Sequence, residues 1–168
     1  MELFIWILLT VAVIALDQIV KYIVEMNISP TDIVSIIPEV IVFVYVKNTG
    51  AAFSIFSNST KLLGLISVLF CVGVLAYWAI KRPKSRLFCL SLSLLFAGAF
   101  GNAIDRIFRG YVVDFIEAAF IKFPVFNIAD IAITVGGVIL VVYFLFFDKE
   151  VENGKTDTSG DELGQSEN

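Results

Sequence analysis

Histidine is absent from the 168 residues of this chain, and cysteine occurs only twice. Without histidine the chain has no Ser-His-Asp triad, no Cys-His pair and no HExxH zinc site. Cys71 and Cys89 lie within apolar runs and lack the spacing of a metal site, so we interpret them as buried small hydrophobic residues. If the protein carries out chemistry, its carboxylates are the best remaining candidates.

Charged residues are also few, at 17% of the chain, whereas hydrophobic residues make up 58%. A soluble domain of this size has too little interior to bury so much apolar surface, so the composition indicates a membrane protein. The net charge of −4 arises near the C-terminus, where acids outnumber bases from Asp148 onward. We expect residues 149–168 to be a disordered acidic tail and residues 1–148 to form one membrane domain. Nothing indicates nucleic-acid binding.

Four apolar segments are long enough to cross a bilayer: 3–24, 62–80, 87–103 and 128–147. No basic residue precedes the first, so it is interpreted as a retained span and not as a cleaved signal peptide. Residues 40–46 are β-branched and aromatic, and turn residues follow at 47–50, which predicts strand structure. The predicted fold is membrane α-helical, with four transmembrane helices and a small extracytoplasmic β-sheet between helices 1 and 2.

The shortest connection between spans carries a dense group of basic residues, namely Lys81, Arg82, Lys84 and Arg86. The positive-inside rule places such a turn in the cytoplasm. With four spans, both termini then lie in the cytoplasm and the two longer connections lie outside.

Two charges interrupt the first span. Asp17 and Lys21 are four residues apart with the acid first, so they share one helix face and can partly neutralise each other. Because charges within a span are costly, a structural ion pair is favoured over a direct catalytic role, with Lys21 snorkelling towards the interface.

Two polar motifs lie near the ends of predicted elements. Asn48 and Gly50 belong to a turn after the predicted strand, and the alternative is that Asn48 donates a hydrogen bond to a substrate backbone. Asn102, Asp105 and Arg106 share one helix face at the end of the third span. They form either an interfacial polar cluster or a group that holds a reactive residue in place.

Two aspartates occur on the side opposite the basic turn. Asp114 is flanked by apolar residues, which suggests partial burial and a raised pKa, although an ordinary loop acid remains the alternative. Asn127 can cap the fourth helix, and Asp130 then occupies its N3 position, where a carboxylate suits the helix dipole. Capping alone would explain Asn127 and Asp130.

Two carboxylates that share a site do not both ionise readily, so one stays protonated while the other acts as a base. This pairing suits peptide hydrolysis: one carboxylate takes a proton from water and the other donates to the scissile carbonyl oxygen. Our hypothesis is that the helix N-terminus biases Asp130 towards the ionised form, whereas apolar neighbours bias Asp114 towards the neutral one.

These motifs together resemble the lipoprotein signal peptidases of bacteria, the signal peptidase II family, over about the first 148 residues. The resemblance rests on the blocks Asp17 with Lys21, NTGAAF at 48–53, Gly101-Asn102-x-x-Asp105-Arg106, Val113-Asp114-Phe115, and Phe126-Asn127-x-Ala129-Asp130. Each block is weak alone, but their order and placement against four spans are specific. Ile131 stands where many members are expected to have a small hydroxyl residue.

The resemblance implies an intramembrane aspartyl endopeptidase of the bacterial cytoplasmic membrane that cuts prolipoproteins before their diacylglyceryl-modified cysteine, near the outer face. It implies Asp114 and Asp130 as the catalytic pair, and residues that line or brace the site: Asn48, Gly50, Asn102, Asp105, Arg106 and Asn127. It also implies inhibition by globomycin-like cyclic peptides, contact with membrane lipid, and no need for a metal or organic cofactor. A monomer is the expected state.

Two other function classes fit the same acids. A small proton-coupled transporter would place them near the bilayer midplane, usually with paired repeats that are not visible here. A non-catalytic assembly factor would use them as structural pairs, and Asp→Asn changes would separate it from an enzyme. The substrate preference, the organism and the role of the tail do not follow from the sequence.

Overall fold

The computed structural model describes residues 2–50 and 59–147 of the chain. This part contains four helices, α1 (Glu2–Asn27), α2 (Thr60–Lys81), α3 (Arg86–Phe108) and α4 (Ile128–Phe146), and three strands, β1 (Val34–Ile37), β2 (Ile41–Asn48) and β3 (Val112–Ala118). Each helix is long and apolar enough to cross a membrane, which confirms the four predicted spans. The predicted tail at 149–168 and motif residues 51–53 lie outside the described residues.

Helix α3 is the central helix, since it is far more buried than the other three. Most of its buried positions carry small side chains, including Ser91, Ser93, Ala97, Gly98, Ala99, Gly101 and Ala103. Small residues allow helices to approach closely in lipid, where packing rather than the hydrophobic effect holds helices together. The large apolar side chains of α1, α2 and α4 are mostly exposed on the outside of the bundle, where lipid would cover them.

Helices α3 and α4 approach each other at two glycines. A Cβ atom added at Gly98 would collide with the carbonyl oxygen of Ala129 and the side chain of Ile133. A Cβ atom added at Gly136 would lie 3.0 Å from the carbonyl oxygen of Ser91. The absence of side chains at these positions therefore sets the spacing of α3 and α4, and with it the position of the first turn of α4.

The sheet predicted between the first two helices is confirmed, and a third strand joins it. The strand order is β1-β2-β3 and both pairs are antiparallel. Strand β3 comes from the connection between α3 and α4, where no strand was predicted. In the β2–β3 register Val46 faces Asp114 and Asn48 faces Val112. The sheet thus brings two distant connections together.

An apolar core and a pair of backbone hydrogen bonds help to attach the sheet to the helices. A small apolar core joins it to the end of α1; this core consists of Val24, Tyr45, Val113 and Phe115. The backbone of Ile116 on β3 exchanges two hydrogen bonds with Phe126, at 2.8 and 3.0 Å. Because Phe126 lies just before α4, strand β3 and the start of α4 hold a fixed relative position.

The third helix is longer than predicted, since it continues from the expected end at residue 103 to Phe108. The apolar run ends earlier, but the charged side chain of Asp105 is buried against partners, so the helix continues. At the opposite end of the bundle, Glu2 and Arg86 form an exposed ion pair at 2.9 Å. The N-terminus of α1 and the basic turn therefore share the end away from the sheet.

The close approach at Gly98 predicts a specific loss of stability. Gly98→Ala should lower the free energy of unfolding in detergent by about 1–3 kcal/mol, because the added methyl forces α3 and α4 apart. Gly73→Ala is the matched control, because a Cβ there meets nothing within 4 Å and alanine favours a helix. Thermal or denaturant unfolding of both variants checks this. Equal stability of the two variants would contradict the packing account.

Candidate active site

Asp114 lies in the middle of β3 with only 3% of its surface exposed. Its neighbours Val113 and Phe115 are also buried, which confirms the burial expected from the sequence. This burial is the main cause that raises the pKa of Asp114 to about 6, and the nearby Asp130 carboxylate adds to it. Hydrogen bonds from Asn48 and Asn127 act in the opposite direction. Asp114 is thus a carboxyl group that binds its proton unusually well.

Asp130 sits in the first turn of α4 as part of a capping box. The Asn127 Oδ1 accepts a hydrogen bond from the Asp130 backbone N–H at 3.0 Å, and the Asp130 Oδ2 accepts from the Asn127 backbone N–H at 3.2 Å. The predicted capping geometry is therefore confirmed. The other carboxylate oxygen of Asp130, Oδ1, takes no part in the capping box and accepts a hydrogen bond from the Asn102 Nδ2 at 2.8 Å. Asp130 therefore caps α4 and contacts Asn102 on α3 at the same time.

The buried side chain of Asn127 joins the two aspartates. Its Nδ2 donates to the Asp114 Oδ1 at 2.6 Å, while its Oδ1 caps the Asp130 backbone N–H. The same Nδ2 lies 3.3 Å from the Asn102 Oδ1. The structure therefore brings Asn102, Asp114, Asn127 and Asp130 into one hydrogen-bonded group.

Asn48, at the end of β2, completes this group. Its Nδ2 donates to the Asp114 Oδ2 at 2.7 Å, and its Oδ1 accepts from the Gly50 backbone N–H at 2.9 Å. Asn48 thus makes both the predicted turn with Gly50 and a direct contact with Asp114. Both oxygens of Asp114 accept an amide hydrogen bond.

A buried charge cluster lies beside Asp114 and Asp130. It consists of Asp17, Lys21 and Asp105. The Lys21 Nζ lies 2.8 Å from the Asp17 Oδ2 and 2.9 Å from the Asp105 Oδ2, so the predicted ion pair is part of a triad. The interpretation that Lys21 snorkels to the interface was wrong, because Lys21 is fully buried. Its ammonium reaches inward instead and donates to the Asn102 Oδ1 at 3.0 Å.

The cluster is also tied to the neighbouring helix and strand. The Asp17 Oδ1 accepts from the Ala129 backbone N–H at 2.9 Å, and Asp105 accepts from the Val113 backbone N–H at 3.4 Å. Position 101 next to the cluster has no room for a side chain, because an added Cβ would lie 2.9 Å from the Asp17 Oδ2. The charge cluster therefore fixes α1, α3, β3 and α4 relative to one another.

A second polar cluster, centred on Glu25, was not predicted from the sequence. Glu25 accepts hydrogen bonds from the hydroxyl groups of Tyr45 at 2.9 Å and Tyr111 at 2.7 Å, and pairs with Arg109 at 2.6 Å. Burial and these hydrogen bonds raise the pKa of Tyr45 above its ordinary value. The available sequence signal was the acid Glu25 at the end of the first span, together with the base Arg109, four residues after Asp105.

A cavity of about 470 Å³ lies next to the aspartates. Its polar lining comes mainly from Asn48, Asn102, Arg106, Asp114 and Asp130, and its apolar lining from Val112, Phe123, Pro124, Val125, Phe126, Ile131, Ile133 and Val135. Ile131, the position that departs from the expected family pattern, is thus part of this apolar wall. The Arg106 Nε lacks a hydrogen-bond partner among the described residues. The cavity suits an apolar chain that carries a polar backbone to two carboxylates.

These features define a class of protein: a polytopic membrane protein with two aspartates lining a largely apolar cavity. The family model for signal peptidase (SPase) II matches residues 9–146. The chain therefore belongs to the signal peptidase II family and is a membrane protease.

Individual relatives agree over nearly the whole chain. A lipoprotein signal peptidase of Lactobacillus johnsonii is 38% identical over 145 residues, which cover 86% of this chain and 94% of that protein. One of Enterococcus faecalis is 35% identical over 158 residues, which cover 94% of this chain and 98% of that protein. A solved bacterial membrane enzyme superposes with a TM-score of 0.80 at 33% identity, covering 88% of this chain and 90% of that one.

The raised pKa of Asp114 predicts a pH dependence of stability. Between about pH 4 and pH 6 the folded protein holds a proton on Asp114 that the unfolded chain has released, so stability falls as pH rises. Relative to Asp114→Asn, the wild type should lose up to about 3 kcal/mol of unfolding free energy across this window. Unfolding in detergent from pH 4 to pH 7 measures the difference.

Asp32→Asn is the matched control, because Asp32 is exposed on the connection after α1 and should leave the pH dependence unchanged. The same change of stability in the wild type and in Asp114→Asn between pH 4 and pH 6 would contradict the raised pKa of Asp114.

Proposed function

We propose that Asp114 and Asp130 are the catalytic pair of an endopeptidase that removes the signal peptide from prolipoproteins, cutting before the diacylglyceryl-modified cysteine. The observation that carries this proposal is that the two carboxylates line one cavity and are joined through Asn127. The lipoprotein signal peptidases to which the chain is similar support the choice of substrate.

The environments of the two aspartates suggest different roles. Asp130 accepts N–H hydrogen bonds on both oxygens at a helix N-terminus, an arrangement that suits a general base. Asp114 is buried and has a pKa raised to about 6, which suits an acid.

In the proposed reaction Asp130 takes a proton from a water molecule, and the resulting hydroxide attacks the carbonyl carbon of the scissile peptide bond. Asp114 gives its proton to the carbonyl oxygen, so that the tetrahedral intermediate is neutral. Collapse of this intermediate breaks the C–N bond, and the proton held by Asp130 passes to the leaving amine. Asp114 regains its proton as the new carboxyl group forms. No metal or organic cofactor enters this sequence.

The remaining polar residues of the site bind the substrate or brace the aspartates. Asn48, which the Gly50 N–H holds in place, and Arg106 line the cavity and offer donors to the carbonyl groups of an extended substrate peptide. Asn102 and Asn127 hold the two carboxylates in place. The apolar wall of the cavity, which includes Phe123 and Ile133, suits the signal segment.

We place the active site near the outer face of the bacterial cytoplasmic membrane, with both termini in the cytoplasm. Support comes from the basic turn, which lies at the end of the bundle away from the sheet and the aspartates. Membrane lipid surrounds the exposed apolar faces, and globomycin-like cyclic peptides occupy the same cavity as the substrate. The enzyme acts as a monomer.

The test is cleavage of a diacylglyceryl-modified prolipoprotein by the purified protein in detergent. Asp114→Asn and Asp130→Asn should each lower kcat by about 10²–10⁴-fold or more, because each removes a proton-transfer group from the reaction. Both variants should keep the fold, since asparagine is nearly isosteric with aspartate.

Asp32→Asn, an exposed change outside the site, should cleave at the wild-type rate. Near-normal turnover by folded Asp114→Asn or Asp130→Asn would make that residue structural. For Asp130 the capping box would then be its whole role.

A further inference from the structure

Three asparagine side chains present their NH₂ groups to the two aspartates. Asn48 and Asn127 donate to Asp114 at 2.7 and 2.6 Å, and Asn102 donates to Asp130 at 2.8 Å. An amide turned by 180° would point its oxygen at the carboxylate and exchange a hydrogen bond for repulsion. The orientation of each amide therefore decides whether it supports the site.

Backbone donors fix two of the three orientations. The Asn48 Oδ1 accepts from the Gly50 N–H at 2.9 Å, and the Asn127 Oδ1 accepts from the Asp130 N–H at 3.0 Å. Because the fold holds these N–H groups in place, each amide has only one orientation that satisfies both of its ends.

The third amide is oriented by a side chain. The Asn102 Oδ1 lies 3.0 Å from the Lys21 Nζ, and both side chains are buried. An ammonium group donates hydrogen bonds and accepts none, so it selects the amide oxygen. The Asn102 Nδ2 is then directed to Asp130. The Asn127 Nδ2, at 3.3 Å, adds a second but longer donor to the same oxygen.

The position of the ammonium is itself fixed by charge. Asp17 on α1 and Asp105 on α3 hold it at 2.8 and 2.9 Å. The other charged groups that face this part of the site are Arg109, whose Nε lies 3.5 Å from the Asp105 Oδ1, and Asp114 and Arg106, which line the cavity with Asp130. Among these groups, Lys21 alone contacts the Asn102 oxygen.

We propose that Lys21 is a positioning residue for the reaction: its ammonium sets the Asn102 amide so that this amide donates to Asp130 and keeps that carboxylate ready to act as base. This role goes beyond the ion pair with Asp17. It rests on the proposed function of Asp130 as one of the catalytic pair.

The test is a double-mutant cycle of Lys21→Met and Asn102→Ala, with kcat, KM and the pH profile measured on a diacylglyceryl-modified prolipoprotein. Lys21→Met should lower kcat about ten- to hundredfold with little change in KM, because it removes support for a reacting group and not a substrate contact. The pH profile of kcat should also differ from that of the wild type, a change that the loss of a merely structural charge would not produce.

The double variant should be no slower than the slower single variant, because without Asn102 there is no amide for Lys21 to orient. Gln18→Leu is the control. Gln18 lies next to the cluster and donates to the Asp17 Oδ2 and to the Gly101 carbonyl oxygen, both at 3.1 Å, but it makes no hydrogen bond with the side chain of Asn102. Gln18→Leu should reduce stability and leave kcat and its pH profile unchanged.

If Lys21→Met does not fold, Asp17→Asn/Lys21→Met replaces it in the cycle. This variant removes one charge of each sign, and Asp105 keeps Arg109, whose Nε lies 3.5 Å from its Oδ1. The same drop in kcat is expected from it.

Additive effects in the cycle, or an unchanged kcat and pH profile in a folded variant lacking Lys21, would overturn the proposal and leave Lys21 as a structural charge. Failure of the proposed function gives a different result. In that case the wild type does not cleave the prolipoprotein, or Asp130→Asn cleaves it normally.

Discussion

The side-chain amide of Asn127 connects the sheet to the fourth helix, and the geometry of the site depends on it. One end donates to Asp114 on β3, and the other end caps the backbone of Asp130 on α4. Each aspartate belongs to an element with its own reason to form, a strand in one case and a capped helix in the other. The amide between them brings these two elements to a common cavity at the end of the bundle that carries the sheet.

Beside this amide, the buried ammonium of Lys21 is paired with carboxylates. Burying Lys21 alone in lipid would be costly, so two carboxylates surround it. These three residues come from α1 and α3, and backbone N–H groups of α4 and β3 donate to the carboxylates. The need to neutralise one ammonium thus fixes the helices relative to the strand that carries Asp114. Stability and site geometry have the same physical origin.

Patterns that are local in sequence predicted much of this architecture. Four apolar runs identified the spans, the Asn127-to-Asp130 spacing predicted the cap, and apolar flanks predicted burial of Asp114. Contacts between distant residues were not predictable in the same way. Strand β3 pairs with a strand about 66 residues earlier, as the Asn48–Asp114 contact shows, and its own acids interrupt the apolar pattern of a strand.

The second partner of Lys21 shows the same limit. Its i, i+4 neighbour Asp17 is visible on a helix face, whereas Asp105 becomes a partner only after α1 and α3 pack. The cluster around Glu25 was missed because its tyrosines and arginine come from two segments that are distant from Glu25 in sequence, β2 and the turn between α3 and β3. The local sequence indicates which side chains need a charged or hydrogen-bonding partner. The packing of the helices determines which partners lie within reach.

The central claim is that Asp114 and Asp130 share one electrostatic site, and infrared spectroscopy of the carboxylic C=O stretch tests it most directly. A protonated carboxyl band should titrate near pH 6 in the wild type and vanish in Asp114→Asn. In Asp130→Asn the band should remain but titrate at lower pH, because the neighbouring negative charge that raises the pKa of Asp114 is gone. A band that persists without Asp114, or that is indifferent to Asp130, would contradict the account.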